Sequence, residues 1–264
     1  MRLLVMSDLH LEFTCFSFPD DLPEFDVAVF AGDIGCPLAA TIEWIERKRR
    51  GPLRGRPVVF VPGNHEFYGT EINGALSDGR ARAERYGIHM LSPGGVALAG
   101  VRFVGSTLWT DYQLFRNPRS ARREAQREMN DHRRIKIGEG AQCRLFRPAD
   151  AAEFHQRDLS EMTRLLAEPF DGTTVVVTHH APHPNSVQSI YDRDPLAPAF
   201  ASDLSEVIER FQPDLWIHGH DHGSNDYYVG KTRILTNQAG YPRRGGIREN
   251  PDFDPRLVVQ VGTK

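Results

Sequence analysis

The chain has 264 residues, of which 40% are hydrophobic and 25% charged, and it carries a formal net charge of −3 at pH 7. That balance excludes an intrinsically disordered chain and gives no global attraction to nucleic acid or an anionic membrane, so any affinity for anions has to be local. A chain of this length buries a substantial core without disulfide or metal staples.

The first apolar run, Leu3–Met6, is too short for a secretory leader, and no apolar stretch approaches membrane-spanning length. A cytoplasmic protein with no membrane partner is the expectation. Cys15, Cys36 and Cys143 match no zinc or redox spacing. They are read as reduced, mostly buried thiols, with a packing role for Cys36.

Further strand-length runs follow at Val27–Ala31, Val58–Val61, Val101–Val104, Val175–Thr178, Leu215–His218, Arg233–Leu235 and Leu257–Val261. They are rich in Val, Leu and Ile, as strands covered on both faces are. Helical patterns alternate with them. Thr41–Arg50 and Thr70–Tyr86 are helical candidates, the second interrupted by Gly74 and Gly79. A helix is predicted after Ser202 or Asp203, with Glu206 at capping-box spacing from Asp203. Its apolar stripe is Leu204, Val207, Ile208 and Phe211, and Pro213 ends it.

The segment from Thr110 to Ala167 differs: it has no evident strand and many arginines. Ala121, Ala125, Met129 and His132 fall near one helical face. A second helix starts near Pro148 and buries Phe154, Met162, Leu165 and Leu166. We read residues 110–150 as an arginine-rich helical insert over the strand ends, within a single domain spanning 1–264. No repeat, low-complexity tract or linker breaks the chain.

Five polar clusters each follow an apolar run directly. They are Asp8-Leu9-His10, Gly32-Asp33, Gly63-Asn64-His65-Glu66, His179-His180 and His218-Gly219-His220-Asp221-His222. Functional side chains concentrate on loops leaving rigid strands. Imidazole and carboxylate donors favour manganese, iron, zinc and related ions over a thiolate-bound metal. One such cluster is common in any loop; five of them at five strand ends are not.

In that order the clusters resemble the calcineurin-like metallophosphoesterase family, from Asp8 to His222. The resemblance implies an α/β fold, a two-sheet mixed β-sandwich flanked by helices. It implies that Asp8, His10 and His222 hold one metal ion, that Asn64, His179 and His220 hold a second, and that Asp33 bridges them. Two divalent or trivalent transition-metal ions are expected, manganese first, then iron, zinc, nickel or cobalt. A bridging hydroxide would attack the phosphorus of a phosphate ester. His65 would be the general acid, kept oriented by Asp8.

Of the adjacent pair His179 and His180, the family motif needs one ligand. His179 is taken because it lies just upstream of Pro182, and His180 is left to support the ligands from outside or to meet the substrate. His218 is read as structural. Asn237-Gln238-Ala239-Gly240-Tyr241-Pro242 stands where many relatives carry Asn-Pro, and is given no catalytic duty.

The expected partner is a small anionic phosphoester. A phosphodiesterase acting on cyclic nucleotides or nucleic acid is the alternative enzyme, and a metal-stabilised scaffold the non-catalytic one. Among the insert's cations, Arg133 and Arg134 are the pair expected to bind substrate, because guanidinium forks match phosphate; the competing reading is a solvated, ion-paired helix.

Overall fold

The computed structural model describes residues 1–191 and 193–262. In chain order its strands are β1 (Arg2–Met6), β2 (Val27–Phe30), β3 (Val58–Phe60), β4 (His89–Met90), β5 (Gly94–Leu98), β6 (Val101–Ser106), β7 (Lys136–Ile137), β8 (Arg144–Leu145), β9 (Thr173–Thr178), β10 (Leu215–His218), β11 (Asp226–Val229), β12 (Thr232–Thr236) and β13 (Val258–Gln260). The helices are α1 (Leu38–Arg50), α2 (Ile72–Tyr86), α3 (Pro118–Glu128), α4 (Asp131–Arg134), α5 (Pro148–Ala167) and α6 (Ser205–Phe211).

Two mixed sheets carry the architecture. One has the order β13-β1-β2-β3-β4, the other β11-β12-β10-β9-β6-β5. In each, the inner strands run parallel; β13, β5 and β11 are antiparallel at the edges. The alternation of side chains along a strand divides the core into layers. Leu3, Val5, Val27, Val29, Val59 and Val61 face Phe103, Val175, Val177, Leu215 and Ile217 between the sheets. Leu4, Met6, Ala28, Phe30, Val58 and Phe60 turn outward onto Leu38, Ile42 and Ile45 of α1 and Ile72 and Leu76 of α2. On the other side Val104, Val176, Trp216 and Ile234 meet Met162 and Leu166 of α5 and Ile208 of α6. Both faces of both sheets are therefore covered, which is why the sequence shows continuous apolar runs rather than alternation.

Several expectations are corrected. Helix α6 starts at Ser205, and no Asp203–Glu206 capping box forms. The Leu204 amide is instead held by the Pro182 carbonyl at 2.9 Å, and Asp203 accepts from the Ser205 hydroxyl at 2.5 Å. The insert contains the short hairpin β7–β8, with strands of two residues each. Its helix α3 ends at Glu128, so Met129 and His132 do not continue one face; His132 belongs to α4. Cys15 and Cys143 are exposed, on loops, and only Cys36 is half-buried, its thiol donating to the Tyr68 carbonyl. Among the described residues no helix is long and apolar enough to cross a membrane.

Candidate metal centre

The five polar clusters leave β1, β2, β3, β9 and β10 at their C-terminal ends. Because β1–β2–β3 and β9–β10 are parallel, those ends lie along one side of the sandwich. The chain turns there at some conformational cost. Asp8, His10, Asp33, His220 and His222 all take positive φ, between 49° and 81°. L-residues reach this region rarely, and its occurrence at five clustered positions is backbone strain held by the surrounding fold. Gly63 is needed for a different reason: a Cβ there would lie 2.1 Å from Asp33 Oδ1. Gly32, at φ +88°, likewise leaves the room that a Cβ would take from the His179 ring.

Three groups of donors converge within 4.8 Å: Asp8, His10 and His222; Asp33, His179 and His220; and His10, Asp33 and His65. Asp33 therefore stands between both ends of the centre. The imidazole tautomers show what the centre fits. His10 Nδ1 and His222 Nδ1 face Glu12 and Glu249 carboxylates at 3.3 and 2.6 Å, and His179 Nδ1 donates to the Ala31 carbonyl at 2.9 Å. Each ring thus presents an Nε2 lone pair inward. His10 Nε2 and His222 Nε2 lie 3.0 Å apart, and His179 Nε2 lies 2.9 Å from Asn64 Oδ1. That amide oxygen is free to face inward because Asn64 Nδ2 donates to Asp131 and Tyr68. The His220 Nε2 atom is buried without any partner. Convergent nitrogen and oxygen atoms whose outer partners are already fixed suit cations, and mixed imidazole, carboxylate and amide ligands suit first-row transition metals.

The electrostatics agree. Burial alone would lower the pKa of His222, yet the Asp8 and Glu249 carboxylates raise it to about 10. His179 likewise overcomes burial through Asp33 and rises to about 9. Burial would raise Asp33, but the rings of His179, His65 and His10 hold its carboxyl well below the usual range. The cavity favours positive charge at its centre. His180 and His220, by contrast, are pushed well below the ordinary histidine value by burial and neighbouring histidines, so both stay neutral.

A second layer aims these groups. Glu66 is buried and accepts from the amides of Asp33, Ile34, Gly35 and Gly63 at 2.6–3.1 Å, tying the β2 and β3 loops together. Glu12 lies 2.6 Å from His65 Nδ1. This corrects the expectation that Asp8 orients His65: Asp8 instead accepts from the His220 amide at 3.1 Å and faces His222 Nε2 at 3.5 Å. His65 Nε2 faces the Tyr241 hydroxyl at 3.1 Å, and the Tyr241 ring stacks on His10 with centroids 4.4 Å apart. The 237–242 turn, given no duty from sequence, therefore enters the site. Gln238 also holds the His222 amide, at 2.7 Å.

Of the adjacent histidines, His179 is the one whose ring reaches Asp33, at 3.4 Å. His180 is buried behind His220, its Nδ1 bonded to the Thr107 carbonyl at 3.1 Å, and lines neither the cleft nor the groove beside it. His218 bonds Ser186 at 2.8 Å. The insert covers the centre with Glu128, Met129 and Asn130 rather than with its arginines. Arg133 turns to the backbone carbonyls of Arg127 and Glu128, and Arg134 lies over the Tyr68 ring, 4.6 Å from its centroid. Neither lines the cleft. The sequence reading missed Glu12, Glu66, Asp131, Tyr241 and Glu249. Glu66 sits within a recognised cluster and Glu12 beside one, so both had a positional signal, though neither was given a role; Glu249 had none, 27 residues from His222.

Comparison with known proteins adds to this geometry. The family described as calcineurin-like phosphoesterase matches residues 1–224. Among solved structures, phosphopantetheinyl hydrolase from Mycobacterium tuberculosis is similar at 17% identity and a TM-score of 0.68, over 91% of this chain and 89% of that one. A Staphylococcus aureus protein provisionally assigned as a 5'-nucleotidase aligns at 15% identity and a TM-score of 0.44, over 89% of this chain and 48% of that one. No curated protein sequence gives a match.

Proposed function

This chain belongs to the calcineurin-like phosphoesterase family, and on that premise we propose that it is a dinuclear metal-dependent hydrolase of phosphate esters. The observation that carries the proposal is the pair of donor groups, Asp8-His10-His222 and Asp33-His179-His220, linked through a third, His10-Asp33-His65. Asn64 Oδ1 completes the second group. Manganese is the first candidate, with iron, zinc, nickel and cobalt also compatible with such donors. Bound there, two such ions would supply Lewis acidity toward phosphoryl oxygens and a water acidified to near neutral pH.

The chain's own part is orientation and proton supply. Glu12 fixes the His65 ring through Nδ1 and leaves Nε2 to hold the transferable proton. Burial would lower the His65 pKa, but Asp33 and Glu12 raise it above the ordinary value, which favours the protonated acid. In this reading His65 Nε2 delivers that proton to the leaving oxygen as it departs. Phe200, Met129 and Tyr68 bring apolar and aromatic surface to the cleft.

The test is phosphate or alcohol release by purified protein, with manganese added and after chelation, from aryl phosphomonoesters, aryl phosphodiesters and cyclic nucleotides. Metal-dependent turnover of at least one ester class is expected. Stoichiometric metal binding without turnover of any of them would instead support a scaffold.

A further inference from the structure

We propose that the groove beside the metal centre is a leaving-group subsite, and that it accepts a polar alcohol which is neutral or cationic. The proposal rests on the phosphoesterase reading and narrows its substrate class.

Two cavities meet at the site, sharing His222 and Tyr241 as a common wall. The one over Asp33, Asn64 and His220 has a volume of about 120 Å³. That is the liquid volume of about four waters, enough for a phosphoryl group and an attacking water. The neighbouring groove measures about 720 Å³, within the range of small-molecule sites.

The direction of His65 decides which end of the phosphoryl group faces the groove. A general acid must lie within hydrogen-bond reach of the oxygen it protonates. His65 Nε2 points to the Tyr241 hydroxyl at 3.1 Å, on the shared wall. The leaving oxygen therefore belongs at the Tyr241 end, and the rest of the alcohol continues into the groove.

The lining sets its chemistry. Asn185 and Gln188 bring amides to one side. Asp252 brings an exposed carboxylate, with Asp221, already bonded to Gln238, and Glu249, already facing His222 at 2.6 Å, behind it; Arg243 is the one guanidinium among the described lining residues. Arg243 already lies 3.7 Å from Glu249. A leaving group carrying its own carboxylate or phosphate would meet like charge there, whereas hydroxyl, amide or ammonium groups would find acceptors. On the other rim of the cleft the insert presents Glu128 and none of its arginines among the described lining residues.

The test compares phosphate release from phosphocholine and 3-phosphoglycerate by the metal-loaded protein, with p-nitrophenyl phosphate as a general ester. The expected kcat/KM for phosphocholine is at least tenfold above that for 3-phosphoglycerate. Asp252→Lys should shrink this ratio at least fivefold, chiefly through KM. Asn185→Trp, which fills the groove from an exposed position, should lower kcat/KM for phosphocholine at least tenfold and leave inhibition by inorganic phosphate within twofold. Saturation-transfer NMR should show choline on the wild type and not on Asn185→Trp. Equal use of the two esters, or choline contact and turnover that survive Asn185→Trp, would overturn the subsite. If no ester is turned over, p-nitrophenyl phosphate included, the phosphoesterase reading fails, and the choline contact still decides whether the groove binds an alcohol.

Discussion

Glu12 and His65 form the unit that separates acid catalysis from metal binding. His65→Ala is expected to keep the metal content and lose about 10²–10⁴-fold in turnover of alkyl phosphates. The loss should shrink for p-nitrophenyl phosphate, whose leaving group needs little protonation. Glu12→Gln should show the same leaving-group pattern in weaker form, because Nδ1 keeps a hydrogen-bond acceptor but loses the charge. An equal loss across leaving groups would count against both assignments. Two of the candidate metal ligands predict a pH effect in the metal-free protein. His222 and His179 have folded pKa values raised to about 10 and about 9. A raised histidine contributes stability that is complete below the unfolded value of about 6.5 and is lost as pH rises through the folded one. The melting temperature of metal-free protein should therefore fall between pH 7 and pH 10. His222→Gln should flatten that fall, and bound metal should abolish it. At this scale the ligands were legible because Asp, Asn and His crowd five strand ends. Tyr241 and Glu249 were not, since a tyrosine in a turn and an acid in a polar loop look like ordinary surface residues until the fold brings them to His65 and His222.

The elements that hold the site are parallel strands ending in tight turns, and the glycines in those turns are part of the centre. Gly63→Ala puts a methyl 2.1 Å from Asp33 Oδ1 and 2.5 Å from the Asp33 amide. Neither atom can yield without moving the shared carboxylate. The variant should keep its far-UV circular dichroism and lose most of its bound metal, as read by elemental analysis; normal metal content would show that Asp33 is not confined by this turn. The central strands were legible from sequence because both their faces are apolar. The edge strand β11 was not: Asp226 and Tyr228 are exposed, and β5 alternates between half-buried and exposed positions. The β7–β8 hairpin has strands of only two residues, Lys136–Ile137 and Arg144–Leu145, each with a single apolar side chain, too short to show an alternating pattern. The arginines of the insert failed as a substrate signal for a related reason. Charge density along a helix says nothing about which side faces the cleft, and here Arg127 pairs with Glu124 and Glu128 while Arg144 pairs with Asp150.

Across the whole molecule, the layer between the sheets ties stability to function. Ile217 is fully buried there, three residues before His220. Ile217→Ala should cost about 2–5 kcal/mol in chemical denaturation, through lost burial and the cavity left behind. Added manganese should recover part of that loss, since a ligand binding only the folded state stabilises it in proportion to the logarithm of its concentration. The sandwich itself was legible only through the family resemblance, because apolar runs do not reveal which strands pair. The groove was not legible at all: its walls come from three stretches, around Gln188, His222 and Glu249, which meet only in the folded chain. The account stands on Asp33 serving both ends of the centre, and the most direct test is metal stoichiometry and phosphoester turnover measured together on wild type and Asp33→Asn. The predicted result is close to two manganese ions per wild-type chain, with both metal content and turnover collapsing in the variant. An Asp33→Asn protein that keeps two ions and full activity would contradict it.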